Sequence, residues 1–94
     1  MIVFVEHYLT PEGRAYFPNW IEAVRDAVSS FPGYHSLTEM VDVERPDRCL
    51  LLLNFNTLQD LRKWGGSEAH SIVLARIQPF QTRKQFSQLL EPRA

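Results

Sequence analysis

The stretch from Asn54 to His70, NFNTLQDLRKWGGSEAH, restricts the fold more than any other part of the chain. It follows Cys49 to Leu53, a continuous apolar run too short to stand as a helix, which reads as a strand buried on both faces. Thr57 with a carboxylate at Asp60 has the spacing of a capping box, and Ser67 is a second helix-capping residue. Gly65-Gly66 separates the two helical pieces. A strand must therefore be followed by a short helix ending in the indole of Trp64, a break, and a further helix carrying the imidazole of His70 near its start.

The rest of the chain supplies elements that fit this unit. Ile2 to Leu9 is rich in β-branched and aromatic residues and reads as a strand. Period-two geometry puts Val3, Val5, His7 and Leu9 on one face and Ile2, Phe4, Glu6 and Tyr8 on the other. Both faces are largely apolar and call for cover on both sides. Thr10-Pro11-Glu12-Gly13 reads as a turn. Phe17, Trp20, Ile21, Val24, Ala27, Val28 and Phe31 then recur as the stripe of an amphipathic helix, and Trp20 on that stripe reads as core. Pro18 either marks where regular helix begins, near Phe17, or kinks its first turns. Pro32-Gly33 stops the helix. Tyr34 to Val43 is a strand, joined by the charged turn Glu44 to Arg48 to the Cys49 strand as an antiparallel hairpin. His70, Val73, Leu74 and Ile77 form a second helical stripe ended by Pro79. Thr82 to Leu90 is the last strand, with Lys84, Phe86, Gln88 and Leu90 on one side.

Strand, helix, hairpin, helix, strand is the order of the ferredoxin-like split βαβ fold, an α+β architecture with one antiparallel sheet and helices on one face. Residues 1–94 make a single domain. A chain of this size buries between about 60% and about 70% of its unfolded surface, so association with a second copy would help it. The helix-free sheet face is too apolar to remain in water.

Several function classes are excluded. A net charge of −1 gives no electrostatic attraction to nucleic acid or an anionic membrane. No apolar run approaches the roughly 20 residues of a membrane span, and no signal peptide precedes the first strand, so the expected location is cytoplasmic. Cys49 is the single cysteine. It precludes an internal disulfide and reads as a small buried hydrophobe. The three histidines share no helical face, so no preformed metal site is expected. There is no phosphate loop, nucleophile elbow or paired-His helix.

Phe55-Asn56-Thr57, Trp64 and Ser67, in this order after a buried strand, resemble the antibiotic biosynthesis monooxygenase family. The opening strand, the long first helix, Pro32-Gly33 and the second strand also fit, so the resemblance spans nearly the whole chain. It implies a dimeric α/β barrel, two sheets face to face, with a substrate pocket inside each subunit between sheet and helices. It further implies a monooxygenase that uses no metal, flavin or other cofactor, in which a small aromatic substrate of the phenol or quinol type supplies the electrons to dioxygen. His7 or His70 would be the base, since an imidazole titrates near neutrality. Trp64 would stack on the ring and donate through its indole nitrogen, and Asn54, Asp60 and Lys84 would contact the substrate. Quinone-forming members carry an Asn one turn before the Trp and a Tyr six residues after it, where this chain has Asp60 and His70. The haem-degrading branch places its iron ligand ten residues beyond the Trp, and that position here is Leu74. A dimeric barrel that binds a small molecule without turning it over is the remaining alternative.

Overall fold

The computed structural model describes residues 1–93. Its elements are β1 (Ile2–Leu9), α1 (Pro11–Val28), β2 (Tyr34–Met40), β3 (Cys49–Phe55), α2 (Leu58–Gly65), α3 (Glu68–Ile77), a single 3₁₀ turn (Gln78–Phe80) and β4 (Gln81–Leu90). The four strands form one sheet in the order β2-β3-β1-β4, with every neighbouring pair antiparallel. This is the ferredoxin-like α+β arrangement that the order of elements predicts.

The helix starts are written in side chains. Thr57 accepts from the Asp60 amide at 3.1 Å and Ser67 from the His70 amide at 3.1 Å, each satisfying one of the orphan donors of a helix N-terminus. Gly66 caps α2 and separates it from α3. At α1 the structure corrects the sequence reading: Thr10 to Gly13 is not a free-standing turn but a cap and first helical turn. Thr10 Oγ1 accepts from the Gly13 amide at 3.2 Å, and Pro11 occupies the first helical position, where its missing N–H costs nothing. The helix then runs through Pro18. Pro18 lies on the exposed side, where water can satisfy the carbonyl that its ring leaves without a donor. β2 ends at Met40, short of Val43, because Asp42 turns the chain. Its Oδ1 accepts from the backbone amides of Glu44 at 2.9 Å and Arg45 at 3.1 Å, an alternative to the strand ladder that short acidic side chains offer.

The core lies between the sheet and α1, α2 and α3. Phe17, Trp20, Ile21, Val24 and Val28 of α1 meet Leu51, Leu53 and Phe55 of β3 and Val73 and Ile77 of α3. Cys49 is buried among them as a free thiol, and burial pushes it above the ordinary thiol value. The opposite sheet face carries no helix. Ile2, Phe4 and Leu52 are half-buried there, and Met40, Phe86 and Leu90 are exposed. Arg48 crosses this face, pairing with Glu6 at 2.6 Å and Asp42 at 2.8 Å. Its guanidinium holds both carboxyls below their ordinary values.

Candidate functional site

A cavity of about 310 Å³ lies between the helices and the sheet, within the size range of small-molecule sites. Its walls are Val3, Val5 and His7 of β1, Leu51 and Leu53 of β3, Trp20 and Val24 of α1, Leu61 and Trp64 of α2, and His70, Val73 and Leu74 of α3. Gln85, Ser87 and Leu89 of β4 complete it. Ser87 and Leu89 are exposed, so the mouth opens along the β4 edge. Arg62 and Gly65 also reach it.

Alternation along the strands explains the lining. Val3, Val5 and His7 share the helix-facing side of β1, and the β1–β3 register brings Val3 opposite Leu53 and Val5 opposite Leu51. His7 is 4% exposed. Its ring stands edge-on to Trp20 with centroids 4.8 Å apart, and Phe17 lies at 6.0 Å. Burial lowers its pKa to about 4, because taking a cation out of water is costly. The imidazole is neutral at pH 7. The Gln81 side-chain amide approaches its Nδ1 at 3.4 Å. On the other wall, His70 stands edge-on to Trp64 at 5.3 Å, and half-burial lowers its pKa as well. Trp64 is held from behind by Phe31 at 5.1 Å.

The structure thus gathers His7, Trp64 and His70 around one space. It does not bring Asn54, Asp60 or Lys84 there. Asn54 falls on the other face of β3 by alternation and pairs in register with Ile2, Asp60 packs against the Gly33 turn, and Lys84 precedes Gln85 with its side chain exposed. Trp20 belongs to the lining as well as to the core. Its indole N–H is spent on the Val73 carbonyl at 2.7 Å, which fixes the ring as a wall. Gln81, Gln85 and Arg62 carry no signal in the sequence. A glutamine belongs to no motif, and how close Gln81 comes to His7 depends on a register shift in β4.

Among the described residues no group of three His, Cys, Asp or Glu side chains is placed to hold a metal ion, and no helix is long and apolar enough to cross a membrane. The polar complement of the cavity is two imidazoles, two indoles, an amide, a hydroxyl and the Arg62 side chain. Such a site can accept or donate single protons and hold a flat apolar molecule.

No protein-family model matches the chain, and no curated protein matches it. Solved structures do. Rv0793 from Mycobacterium tuberculosis superposes with a TM-score of 0.83 at 16% identity, over 99% of this chain and 94% of that one. A Nitrosomonas europaea protein put forward as an antibiotic biosynthesis monooxygenase gives 0.82 at 10% identity, over 97% and 96%. A variant of SnoaB, a cofactor-independent oxygenase from Streptomyces nogalater, gives 0.76 at 10% identity, over 98% and 94%. At these identities the likeness is one of architecture, and it is complete: from first strand to last, the chain has the fold of the antibiotic biosynthesis monooxygenases.

Proposed function

We propose that the protein is a cofactor-independent monooxygenase acting on a small phenol- or quinol-type aromatic molecule, working as a cytoplasmic homodimer. One observation carries the reading: an apolar cavity walled by Trp20 and Trp64 holds two imidazoles whose pKa values burial lowers, on a fold shared with a cofactor-independent oxygenase. Oxidation of a phenol to a quinone by this route needs no resident redox group. The ring gives up a C–H and the O–H, one atom of dioxygen becomes the new carbonyl, and the other leaves as water with the two hydrogens.

The chain's own residues would supply three things. A neutral imidazole takes the phenolic proton, which makes the ring electron-rich enough to reduce dioxygen. The apolar walls exclude water and strengthen every hydrogen bond to the resulting phenolate. The rings of Trp20 and Trp64 hold the substrate flat. Oxygen uptake by the purified protein, screened over quinols, anthrones and flavonols, tests this. Stoichiometric uptake with quinone formation is expected for at least one class, and no uptake with any would leave a binding module.

Haem degradation is the weaker reading, since Leu74 presents a hydrocarbon side chain to the cavity where the ligand to iron would stand. Titrated hemin is expected to give no saturable His-ligated Soret spectrum. A one-to-one complex abolished by His70→Ala or His7→Ala would promote haem over phenol.

A further inference from the structure

β4 is irregular beside His7. Phe86 pairs with Glu6, Arg83 with Tyr8 and Gln81 with Leu9, so β4 spends five residue steps where β1 spends three. Two extra residues are accommodated within one short stretch. Such bulges change which residues of two paired strands stand side by side. Here the shift draws Gln81 level with Leu9, close enough to meet both Gln85, four residues on along the same face, and the His7 imidazole. Gln81 Nε2 donates to Gln85 Oε1 at 3.0 Å and lies 3.4 Å from His7 Nδ1.

An amide nitrogen has two hydrogens and no lone pair to offer. With one hydrogen on Gln85, the other is directed at His7 Nδ1, which must accept it. A neutral imidazole whose Nδ1 accepts carries its proton on Nε2. The chain gives Nε2 no partner among the described residues, and no buried side-chain nitrogen is left unpartnered among them. The nitrogen therefore reaches open space, and the space that His7 lines is the cavity. Gln85, its oxygen occupied by Gln81, keeps its own amide hydrogens for the same space.

We propose that Gln81, oriented by Gln85, is a positioning residue that fixes His7 as its Nε2–H tautomer, so that His7 presents the cavity with a hydrogen-bond donor and selects ligands bearing an acceptor oxygen at that depth. This rests on the phenol-oxidation reading for its biological meaning, where it makes His7 the donor to the phenolate oxygen and leaves the proton to His70. The hydrogen-bond polarity itself does not depend on turnover. A site built to donate favours a carbonyl or phenolate oxygen, and an apolar ring without one leaves the donor unsatisfied.

The experiment uses the intact protein with ¹⁵N-labelled histidine, reading ring nitrogen shifts at pH 8 with His7 assigned by its loss in His7→Phe. The wild-type ring is expected to be a single neutral species protonated at Nε2. Gln81→Glu replaces the donor by a carboxylate that must accept, so the proton should move to Nδ1. 1-Tetralone, a flat ketone that only accepts, should then bind about tenfold more weakly, roughly one hydrogen bond, while tetralin binds equally to both proteins. A wild-type ring protonated at Nδ1 or mixed between tautomers, or a folded Gln81→Glu protein whose His7 stays protonated at Nε2, overturns the proposal. Should Gln81→Glu not fold, Gln81→Met serves: loss of the pure tautomer supports control by Gln81, and an unchanged ring overturns it. Correct polarity without oxygen uptake from any substrate would refute the oxygenase reading alone, and turnover with the reverse tautomer would refute this one alone.

Discussion

His7 is the residue whose burial has the widest consequences. Unfolded, its imidazole titrates near 6.5, and folded it titrates at about 4. Between those values the unfolded chain binds the proton and the folded chain does not, so stability is full above pH 6.5 and falls as the pH drops toward 4. The loss is on the order of 3 kcal/mol. His70, shifted the same way, adds to it. Urea unfolding midpoints measured from pH 7 to pH 4 are expected to decline, and His7→Phe should flatten much of that slope. For turnover, His7→Ala and Trp64→Phe should each lower kcat with the fold intact by circular dichroism. The loss should be about 10²-fold or more for His7, the scale of a donor aimed at a developing oxyanion. His7 and His70 could be picked out in the sequence because histidines are few, and Trp64 because it closes a helix just before a double glycine. Their partners Trp20, Gln81 and Gln85 could not. Trp20 sits on an apolar stripe like any core residue, and Gln81 reaches His7 only because a register shift draws it level with Leu9, which alternation along the sequence does not announce. Asn54 stays out of the cavity because alternation along β3 sends it to the far face, and Lys84 has an exposed side chain in the irregular stretch of β4.

At the scale of elements, caps and breaks were legible and extents less so. Thr57 and Ser67 start their helices by the predicted side-chain bonds. The start of α1 was hidden because Thr10-Pro11 serves a turn as well as it serves a cap, and tertiary packing decided between them. Gly13 is the clue: a Cβ there would sit 2.6 Å from Phe80 Cβ and 3.0 Å from Leu9 Cβ, so the first turn of α1 is pressed against the end of β1 and the 3₁₀ turn. Gly65, also helical, is open on that side, and a Cβ added to it would meet nothing within 4 Å. The two glycines should therefore respond oppositely to alanine. Gly13→Ala is expected to destabilise by roughly 1–3 kcal/mol through overpacking near the backbone. Gly65→Ala should be neutral or stabilise by up to about 1 kcal/mol through helix propensity. Equilibrium unfolding of the pair checks this, and equal losses at both sites would mean that close approach is not what requires Gly13.

For the whole molecule, the order of elements was enough to choose the topology because antiparallel hairpins and a split βαβ leave few ways to close one sheet. What covers the second sheet face is a question of association. A monomer would leave Met40, Phe86 and Leu90 in water at 38%, 45% and 42% exposure, beside the half-buried Ile2, Phe4 and Leu52, and contiguous apolar area of that kind marks an interface. Arg48 pairs with Glu6 and Asp42 and Arg45 adds a second cation beside Asp42 at 3.9 Å, so the carboxylates here are balanced within one subunit and a second copy can approach without leaving an uncompensated ion beneath it. Two sheets packed this way should bury well over about 1,000 Å², and the cavity, on the helical side, should be unaffected. Sedimentation at micromolar concentration is expected to give twice the 10.9 kDa chain mass. Phe86→Asp, which places a carboxylate against Phe4, whose ring centroid lies 6.3 Å away, should shift the protein to monomer while leaving ligand binding in the cavity in place. A wild-type monomer, or a Phe86→Asp protein that remains dimeric, would show that this face is not where two copies meet.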